Sequence, residues 1–383
     1  MPQTKTSKKS GCESACAPNA TGDCMKCDFV PGREGGSVLL AARDVAATAV
    51  VRETLHAGGF DVKEVGAVLT VSGTRQTLTA VGKRLRDQIT DYTQSAVRGA
   101  YVPGGAKKES DVLEAMIAAE PLSTMLQNWE HEWVRDALDE GWMFSVFHPI
   151  LDAHTGSVFA QESLLRAMNP VTGNIYGAGQ IINACEALSL QHQLDQRARR
   201  SAIYNASKHV PLDQKVFINF LPNTIYDPEV CLRTTVDAAK KFNVDMGRLV
   251  FEVVETERIP DMKRLLKILD YYRERGVGTA VDDMGAGFST VEYITALKPN
   301  FVKLDRDLVV RAEHETASRV RVKELVDASH DSGAKVIAEG IETAGQMEVS
   351  IACGADYLQG FLFAKPARPP AVVQWCENVK RVA

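Results

Sequence analysis

The stretch TAVDDMGAG, Thr279 to Gly287, decides the fold of the larger part of this chain. Small and apolar residues typical of a buried strand run directly into the adjacent carboxylates of Asp282 and Asp283, and a glycine-rich turn follows. Two like charges at a strand end repel each other, and they also lose hydration if they are buried. The sequence therefore predicts a positively charged group at this point.

The same pattern recurs along the C-terminal part of the chain. Short apolar runs end in polar residues: VFIN at Asn219, LVFE at Glu252, TAVD at Asp282, FVKLD at Asp305, KVIAE at Glu339 and DYLQ at Gln359. The stretches between them, such as MKRLLKILDYYRERG, have helical spacing and a terminal glycine. This alternation favours a closed (β/α) barrel over an open sheet, because a barrel gathers the ends of its strands around one mouth.

The predicted mouth collects hard oxygen donors. They are the side chains of Glu162, Asn219, Glu252, Asp282, Asp283 and Glu339. Oxygen ligands suit Mg²⁺ or Mn²⁺ better than zinc, and two divalent cations would accommodate so many anions. Lys303, with apolar neighbours in FVKLD, is predicted to point into the same mouth, where it would orient a water or neutralise a phosphate oxygen.

Each of these features also has a purely structural interpretation. A carboxylate at a strand end often caps the following helix, and a few glycines after paired aspartates form an ordinary turn. His148, in FHPI near the first predicted barrel strand, is as compatible with packing as with function. Six apolar runs in succession each end in a polar residue, and it is harder to explain all six of these residues as helix caps.

Composition places the chain among globular proteins. Of its 383 residues 45% are hydrophobic and 24% are charged, and the net charge of -5 argues against a broadly basic surface for a nucleic acid polymer. No apolar run is long enough to span a bilayer, and the N-terminus lacks the apolar core of a signal peptide. We expect a cytoplasmic protein with no membrane segment.

Two further regions precede the barrel. Residues 1–36 are predicted to be a flexible segment, residues 37–103 a small α+β domain, and residues 104–135 a linker and helix, with the barrel in 136–383. The order β-α-β-β-α in the second region suggests a ferredoxin-like sandwich. We expect such a domain to serve as a sensor or dimerisation element.

A cysteine cluster lies in the first segment, with the spacing C-x3-C-x7-C-x2-C: Cys12, Cys16, Cys24 and Cys27. In a reducing compartment such a group is compatible with a Zn²⁺ or iron-sulfur site. The spacing matches no pattern that identifies one metal, and a plain cysteine-bearing tail explains it equally well.

The motifs of residues 136–366 resemble those of the EAL-domain cyclic di-GMP phosphodiesterases of bacteria. The matching stretches are ESLLR, INFLP, FEVVE, DDMGAGFST, VKLD, AEGIE and QGFLFAKP, in the family's order. The resemblance implies a modified (β/α)8 barrel that uses two Mg²⁺ or Mn²⁺ ions to hydrolyse cyclic di-GMP to linear pGpG. It also implies that the protein is a homodimer, because the family often dimerises.

The resemblance assigns roles residue by residue. Glu162, Asn219, Glu252, Asp282, Asp283 and Glu339 would bind the metals, and Lys303 and Gln359 would hold the attacking water or a phosphate. Leu164 and Arg166 would contact the nucleotide, while Glu255 and Glu342 would anchor the DDMGAGFST loop. Ser163, Val254 and His148 depart from the family pattern, in which alanine, threonine and usually glutamine stand at these positions.

Two other functions stay open at this point. One is a barrel that binds cyclic di-GMP without cleaving it and signals through the N-terminal region; a missing metal ligand would favour it, and none of the expected ligands is missing from the sequence. A metal-dependent barrel enzyme of the enolase type also gathers carboxylates at strand ends, but it would not predict ESLLR or QGFLF.

Overall fold

The computed structural model describes residues 35–42, 44–225, 227–253, 261–286 and 291–373. The chain divides into two compact units within this part. One contains residues 35–142 together with Gly179–Leu190, and the other contains Met143–Ala178 and residues 191–373. No helix in the described ranges combines the length and the apolar character that crossing a membrane requires.

The first unit is an α+β sandwich. Its elements are β1 (Gly36–Ala42), α1 (Val45–Ala57), β2 (Val62–Val65), β3 (Val68–Gly73), α2 (Arg75–Gln88), α3 (Asp91–Ala96), β4 (Val97–Pro103), α4 (Glu109–Ile117), β5 (Glu120–Pro121), α5 (Leu122–Glu130) and α6 (Trp133–Asp139). Helix α7 (Ala178–Ala187) begins at the boundary and lies almost wholly in this unit.

The sheet of this unit confirms the expected topology. Its order is β2-β3-β1-β4-β5, with every neighbouring pair antiparallel, and the first four strands have the ferredoxin-like arrangement. Asp44 caps α1, accepting a hydrogen bond from the backbone N–H of Ala46 at 2.8 Å. Strand β4 was not expected, because its alternation of Arg98, Gly99 and Ala100 gives little strand signal.

The second unit contains the barrel. Its strands are β6 (Met143–Asp152), β7 (Val158–Met168), β8 (Ile175–Gly177), β9 (Lys215–Phe220), β10 (Leu249–Val253), β11 (Gly278–Met284), β12 (Phe301–Leu304), β13 (Lys335–Ala338) and β14 (Tyr357–Leu358). Its helices are α8 (Gln191–His209), α9 (Pro228–Cys231), α10 (Arg233–Lys241), α11 (Met262–Arg273), α12 (Val291–Leu297), α13 (Arg306–Ala312), α14 (Thr316–Asp331) and α15 (Ala344–Ala352). Two 3-10 turns, Pro222–Thr224 and Met246–Arg248, complete it.

Eight of these strands close into a ring. The order is β6-β14-β13-β12-β11-β10-β9-β7, and pairing of β6 with β7 closes it, while β8 extends β7 outside the ring. Strand β6 is antiparallel to both neighbours, and the other strands run parallel to one another. The predicted modified (β/α)8 barrel is therefore confirmed.

A layer of apolar side chains fills the inside of this ring, and we call it the floor. It consists of one buried residue from each of seven ring strands: Ile150, Ala160, Phe217, Val250, Ala280, Phe301 and Ile337. Tyr357 of the eighth strand, β14, packs against it. Packing of this kind makes the barrel interior a core rather than a pore.

Candidate active site

Directly above the floor lies a layer of polar side chains, which we call the polar ring. Successive side chains of a strand alternate between its faces, so the residue two positions from each floor residue also faces inward. Seven ring strands have a floor residue, and β14 has Tyr357 at the same level. The inward-facing residues two positions nearer the mouth are Glu162, Asn219, Glu252, Asp282, Lys303, Glu339, Gln359 and, on the antiparallel strand β6, His148. Every strand of the closed ring thus contributes one polar residue.

Lys303 is the central cation of the polar ring. Its side chain is only 1% exposed, and Nζ lies 2.7 Å from Glu339 Oε1 and 3.0 Å from Glu252 Oε1. Asp282 Oδ1 is 3.1 Å away and Glu162 Oε1 is 3.5 Å away. Four carboxylates converge on one ammonium group, so the arrangement has an excess of negative charge.

The paired aspartates are brought together by a β-bulge. The pairing of β11 with β12 shifts register between Val281 and Met284, and Asp283 has a positive φ of 55°. Aspartate tolerates this left-handed conformation better than most residues. Consecutive strand residues normally face opposite sides, but here Asp282, Asp283 and Glu339 all present carboxylate oxygens within 4.8 Å of one another.

Amide side chains hold Glu162 in place. Its Oε2 accepts a hydrogen bond from Gln359 Nε2 at 2.7 Å, and its Oε1 accepts one from Asn219 Nδ2 at 3.3 Å. Gln359 Nε2 also lies 3.0 Å from His148 Nδ1. Since Asn219 donates through its nitrogen, its amide oxygen remains available to a cation.

The carboxylates of the polar ring differ in how strongly burial opposes their ionisation. Burial raises the pKa of Glu252 well above its usual value and does the same to the pKa of Glu339, in each case against the charge of Lys303. Burial also acts on Glu162, yet the charge of Lys303 and the Gln359 hydrogen bond hold its pKa below the usual range. Repulsion by the neighbouring carboxylates adds to the effect of burial at Glu252 and Glu339. The side-chain amides of Gln359 and Asn219 instead stabilise the charged form of Glu162.

Three further pKa shifts describe the surroundings. Burial and the neighbouring charge of Asp282 raise the pKa of Asp283 to about 6. Burial tends to lower the pKa of Lys303, but the surrounding carboxylates raise it well above its usual value. Burial lowers the pKa of His148, so this imidazole favours its neutral form.

The residues present fit a divalent cation. Carboxylate and amide oxygens are the donors that Mg²⁺ and Mn²⁺ prefer, and the described polar ring contains no thiolate. Glu252 is fully buried, shares Lys303 with three other carboxylates and accepts no hydrogen bond in the described part of the chain, so its ionised form is costly unless a further cation compensates it. Burial and donor chemistry therefore both favour a bound metal.

The predicted nucleotide contacts share a strand face with Glu162. Leu164 and Arg166 lie two and four residues further along β7, on the same side, and both are partly buried. Arg166 Nη1 donates to the carbonyl of Leu165 at 2.7 Å, and burial lowers the pKa of its guanidinium. An arginine and a leucine thus lie on the strand that carries Glu162.

Other predicted residues lie apart from the ring or outside the described part. Glu342 is exposed and pairs with Arg306 Nη2 at 2.8 Å, while Asp305 caps α13 through the backbone N–H of Leu308 at 3.1 Å. The structural interpretation of a strand-end carboxylate thus holds for Asp305. Glu255, residues 287–290 of the DDMGAGFST loop and all four clustered cysteines, Cys12, Cys16, Cys24 and Cys27, lie outside the described residues.

Sequence reasoning missed two polar groups near the site. It left His148 unassigned, although the position two residues before Ile150 on an inward-facing strand would have identified it as part of the polar ring. It also missed Asp195, which forms a buried ion pair with Arg199 at 3.0 Å and accepts a hydrogen bond from the backbone N–H of Leu221 at 3.0 Å. The i,i+4 spacing of Asp195 and Arg199 on α8 is typical of exposed helix pairs, so the sequence does not indicate that this pair is buried.

Comparison with known proteins agrees with this geometry. The EAL domain model matches residues 131–366. The chain is similar to the bifunctional diguanylate cyclase/cyclic di-GMP phosphodiesterase MucR of Pseudomonas aeruginosa, with 27% identity over 61% of this chain and 34% of the relative. It is also similar to the cyclic di-GMP phosphodiesterase PdeL of Escherichia coli, with 27% identity over 66% of each chain.

Among solved structures, a standalone EAL protein from Vibrio cholerae O395, in a c-di-GMP bound form, is 30% identical with a TM-score of 0.54. The match covers 61% of this chain and 95% of that one. The chain spans between a third and two thirds of the length of the two curated relatives named above. The matched residues contain the whole polar ring, and the chain belongs to the EAL domain family.

Proposed function

We propose that this protein hydrolyses cyclic di-GMP to linear pGpG with the help of two Mg²⁺ or Mn²⁺ ions. The observation that carries the proposal is the polar ring, in which buried carboxylates converge with a large excess of negative charge. PdeL is named a cyclic di-GMP phosphodiesterase and MucR a bifunctional diguanylate cyclase/cyclic di-GMP phosphodiesterase, and both names support the substrate class.

The metal ligands of this proposal are carboxylate and amide oxygens of the polar ring and the bulge. They are Glu162, Asn219, Glu252, Asp282, Asp283 and Glu339. Bound divalent ions would supply positive charge to a phosphate oxygen and lower the pKa of a water molecule. The bulge at Asp283 is the local feature that allows one strand end to serve two ions.

The remaining residues of the site position the substrate and the attacking water. Carboxylates from three strands and from Glu339, directly after β13, hold Lys303, so its ammonium group has little freedom. In this proposal it would stabilise negative charge on a phosphate. Arg166 supplies a second cation on β7, and Leu164 an apolar surface for a base. Water adds to phosphorus, one phosphodiester P–O bond breaks, and the leaving ribose oxygen takes up a proton.

The proposal extends to the context of the enzyme. We infer a cytoplasmic homodimer in which the first unit acts as a sensor or dimerisation element, with a Zn²⁺ or iron-sulfur site at the N-terminal cysteines. Loss of bound metal from a Cys24→Ser, Cys27→Ser variant, measured by elemental analysis, would support the cysteine site. Unchanged metal content would refute it.

The decisive experiment is turnover of cyclic di-GMP by the purified chain. Product is followed by chromatography with Mg²⁺ or Mn²⁺, with Ca²⁺ and with EDTA, beside Glu162→Gln and the exposed control Glu348→Gln on α15. We expect pGpG only with Mg²⁺ or Mn²⁺, full activity in the Glu348 variant and a loss of at least about 100-fold in the Glu162 variant. Tight binding without turnover would instead identify a receptor.

A further inference from the structure

His148 occupies the position in the polar ring that the antiparallel strand β6 contributes. Its side chain is 9% exposed and stands directly opposite Glu162 in the pairing of β6 with β7. The Nδ1 atom lies 3.0 Å from Nε2 of Gln359, which is itself 2% exposed. His148 therefore contacts the site through Gln359.

The hydrogen bonds allow only one orientation of the Gln359 amide. A carboxylate oxygen only accepts, so the 2.7 Å contact with Glu162 Oε2 requires the NH2 group of Gln359 on that side. The same nitrogen has a second hydrogen, and His148 Nδ1 accepts it when the imidazole carries its proton on Nε2. Both amide hydrogens are then used, one by Glu162 and one by His148.

This arrangement leaves the Gln359 oxygen without a protein partner. Gln359 Oε1 is buried and accepts no hydrogen bond from the described residues. A buried carbonyl oxygen that lacks a donor is costly, so it is suited to accept a hydrogen from a water or a substrate group. With the NH2 group fixed at its other end, the amide presents this acceptor in one fixed direction.

We propose that His148 is a positioning residue that fixes the Gln359 amide, so that Gln359 Oε1 accepts a hydrogen bond from the attacking water or the substrate. The proposal deepens the proposed function and rests on it. His148 acts through Gln359 and does not itself contact the reacting atoms. A leucine at this position keeps the bulk and removes the acceptor, whereas a glutamine can restore it through its amide oxygen.

The test is a double-mutant cycle on cyclic di-GMP hydrolysis with Mn²⁺. We expect His148→Leu to lower kcat by about tenfold with little change in KM, and His148→Gln to recover most of that loss. In a Gln359→Leu background the His148→Leu change should have no further effect. The same tenfold loss in that background would overturn the proposal, as would a failure of His148→Gln to recover activity. His154→Leu, an exposed residue just beyond β6, is the control for an unchanged rate.

A second measurement does not depend on turnover. The ¹⁵N chemical shifts of the His148 ring report which nitrogen carries the proton, and we expect the Nε2–H form in the intact chain. The Nδ1–H form would overturn the proposal even if the enzyme is active. If the chain binds cyclic di-GMP without cleaving it, the proposed function fails, and the tautomer still decides whether His148 fixes the Gln359 amide.

Discussion

Replacing Lys303 with methionine tests whether one cation holds the polar ring together. Methionine keeps most of the length and the apolar stem of lysine but removes the charge that lies 2.7–3.5 Å from four carboxylates. Those carboxylates are buried or nearly so, and Lys303 itself is 1% exposed. Without bound metal, the variant leaves negative charges in the barrel with no compensation from this strand.

The expected cost follows from burial. Removing one partner from a buried ion pair typically destabilises a protein by about 3–5 kcal/mol. For a unit of this size each kcal/mol shifts Tm by about 2–4 °C, so the barrel transition should fall by about 6–20 °C. The carboxylates can escape the penalty by taking up protons, since burial already raises the pKa of Glu252 and Glu339 well above the usual value. The loss of Tm caused by Lys303→Met should therefore be large at pH 8 and small at pH 5.

The assay is calorimetric unfolding of EDTA-treated protein at both pH values, followed by addition of Mn²⁺. Lys335→Met is a matched control on β13, because Lys335 is 58% exposed and forms a 2.7 Å pair with Asp356. Exposed ion pairs contribute about 0–1 kcal/mol to the free energy of unfolding, so the Tm of Lys335→Met should lie close to that of wild type. The reasoning would be refuted if metal-free Lys303→Met had the same Tm as wild type at pH 8. It would also be refuted if the variant's loss of Tm at pH 5 equalled its loss at pH 8.

Three other predictions concern metal and pH. Glu252→Gln should raise the Tm of the metal-free protein at pH 8, because it removes a buried carboxylate that shares a single ammonium group with three others, and it should abolish the Tm increase with Mn²⁺. A retained increase would exclude Glu252 as a ligand. In wild type the Mn²⁺-induced Tm increase should grow between pH 5 and pH 7.5, because the raised pKa of Asp283, about 6, keeps that carboxyl protonated at lower pH. Metal-free stability should fall as the pH rises from the usual aspartate pKa of 3.8 to about 6, because the unfolded chain loses this proton first, and a flat response over that range would contradict the assignment. Asp283→Asn should keep the left-handed backbone, raise the metal-free Tm at pH 7.5 because it removes a carboxylate whose ionisation burial opposes, and weaken the Mn²⁺-induced Tm increase. Asp283→Val should lower both the metal-free Tm and the Mn²⁺-induced increase in the same calorimetric measurement, because valine is strained at a positive φ.

The barrel could be predicted because its signals are local. Parallel strands buried on both faces are nearly continuous apolar runs, and each of the runs that end at Asn219, Glu252, Asp282 and Glu339 forms a ring strand. Polar residues at those ends stand out against the apolar background. Most of the polar ring could be found in this way, since the carboxyl ends of parallel strands meet at one edge.

The rest depends on pairing between distant segments. Strand β6 runs opposite to its neighbours, so His148 enters the polar ring two residues before its floor residue rather than two after it. Glu162 lies in the middle of β7, because that strand continues beyond the barrel to pair with β8. The bulge at Asp283 depends on a register shift against β12. None of these three features leaves a periodic signal in its own segment.

The two inner layers of the barrel explain how one fold tolerates such a site. The apolar floor packs side chains from seven strands, with Phe217 and Phe301 in edge-to-face contact, and supplies stability that does not depend on the ring above it. The polar ring departs from the rule that each buried charge has its own partner and hydrogen bonds, because four carboxylates share Lys303 and Glu252 accepts no hydrogen bond from the described residues. Violations of this kind are expected where a sequence is selected for function, since a bound cation removes the penalty. The crowded buried carboxylates therefore both lower the stability of the metal-free protein and provide its affinity for metal. A substitution that removes one of them should raise the metal-free stability and weaken metal binding.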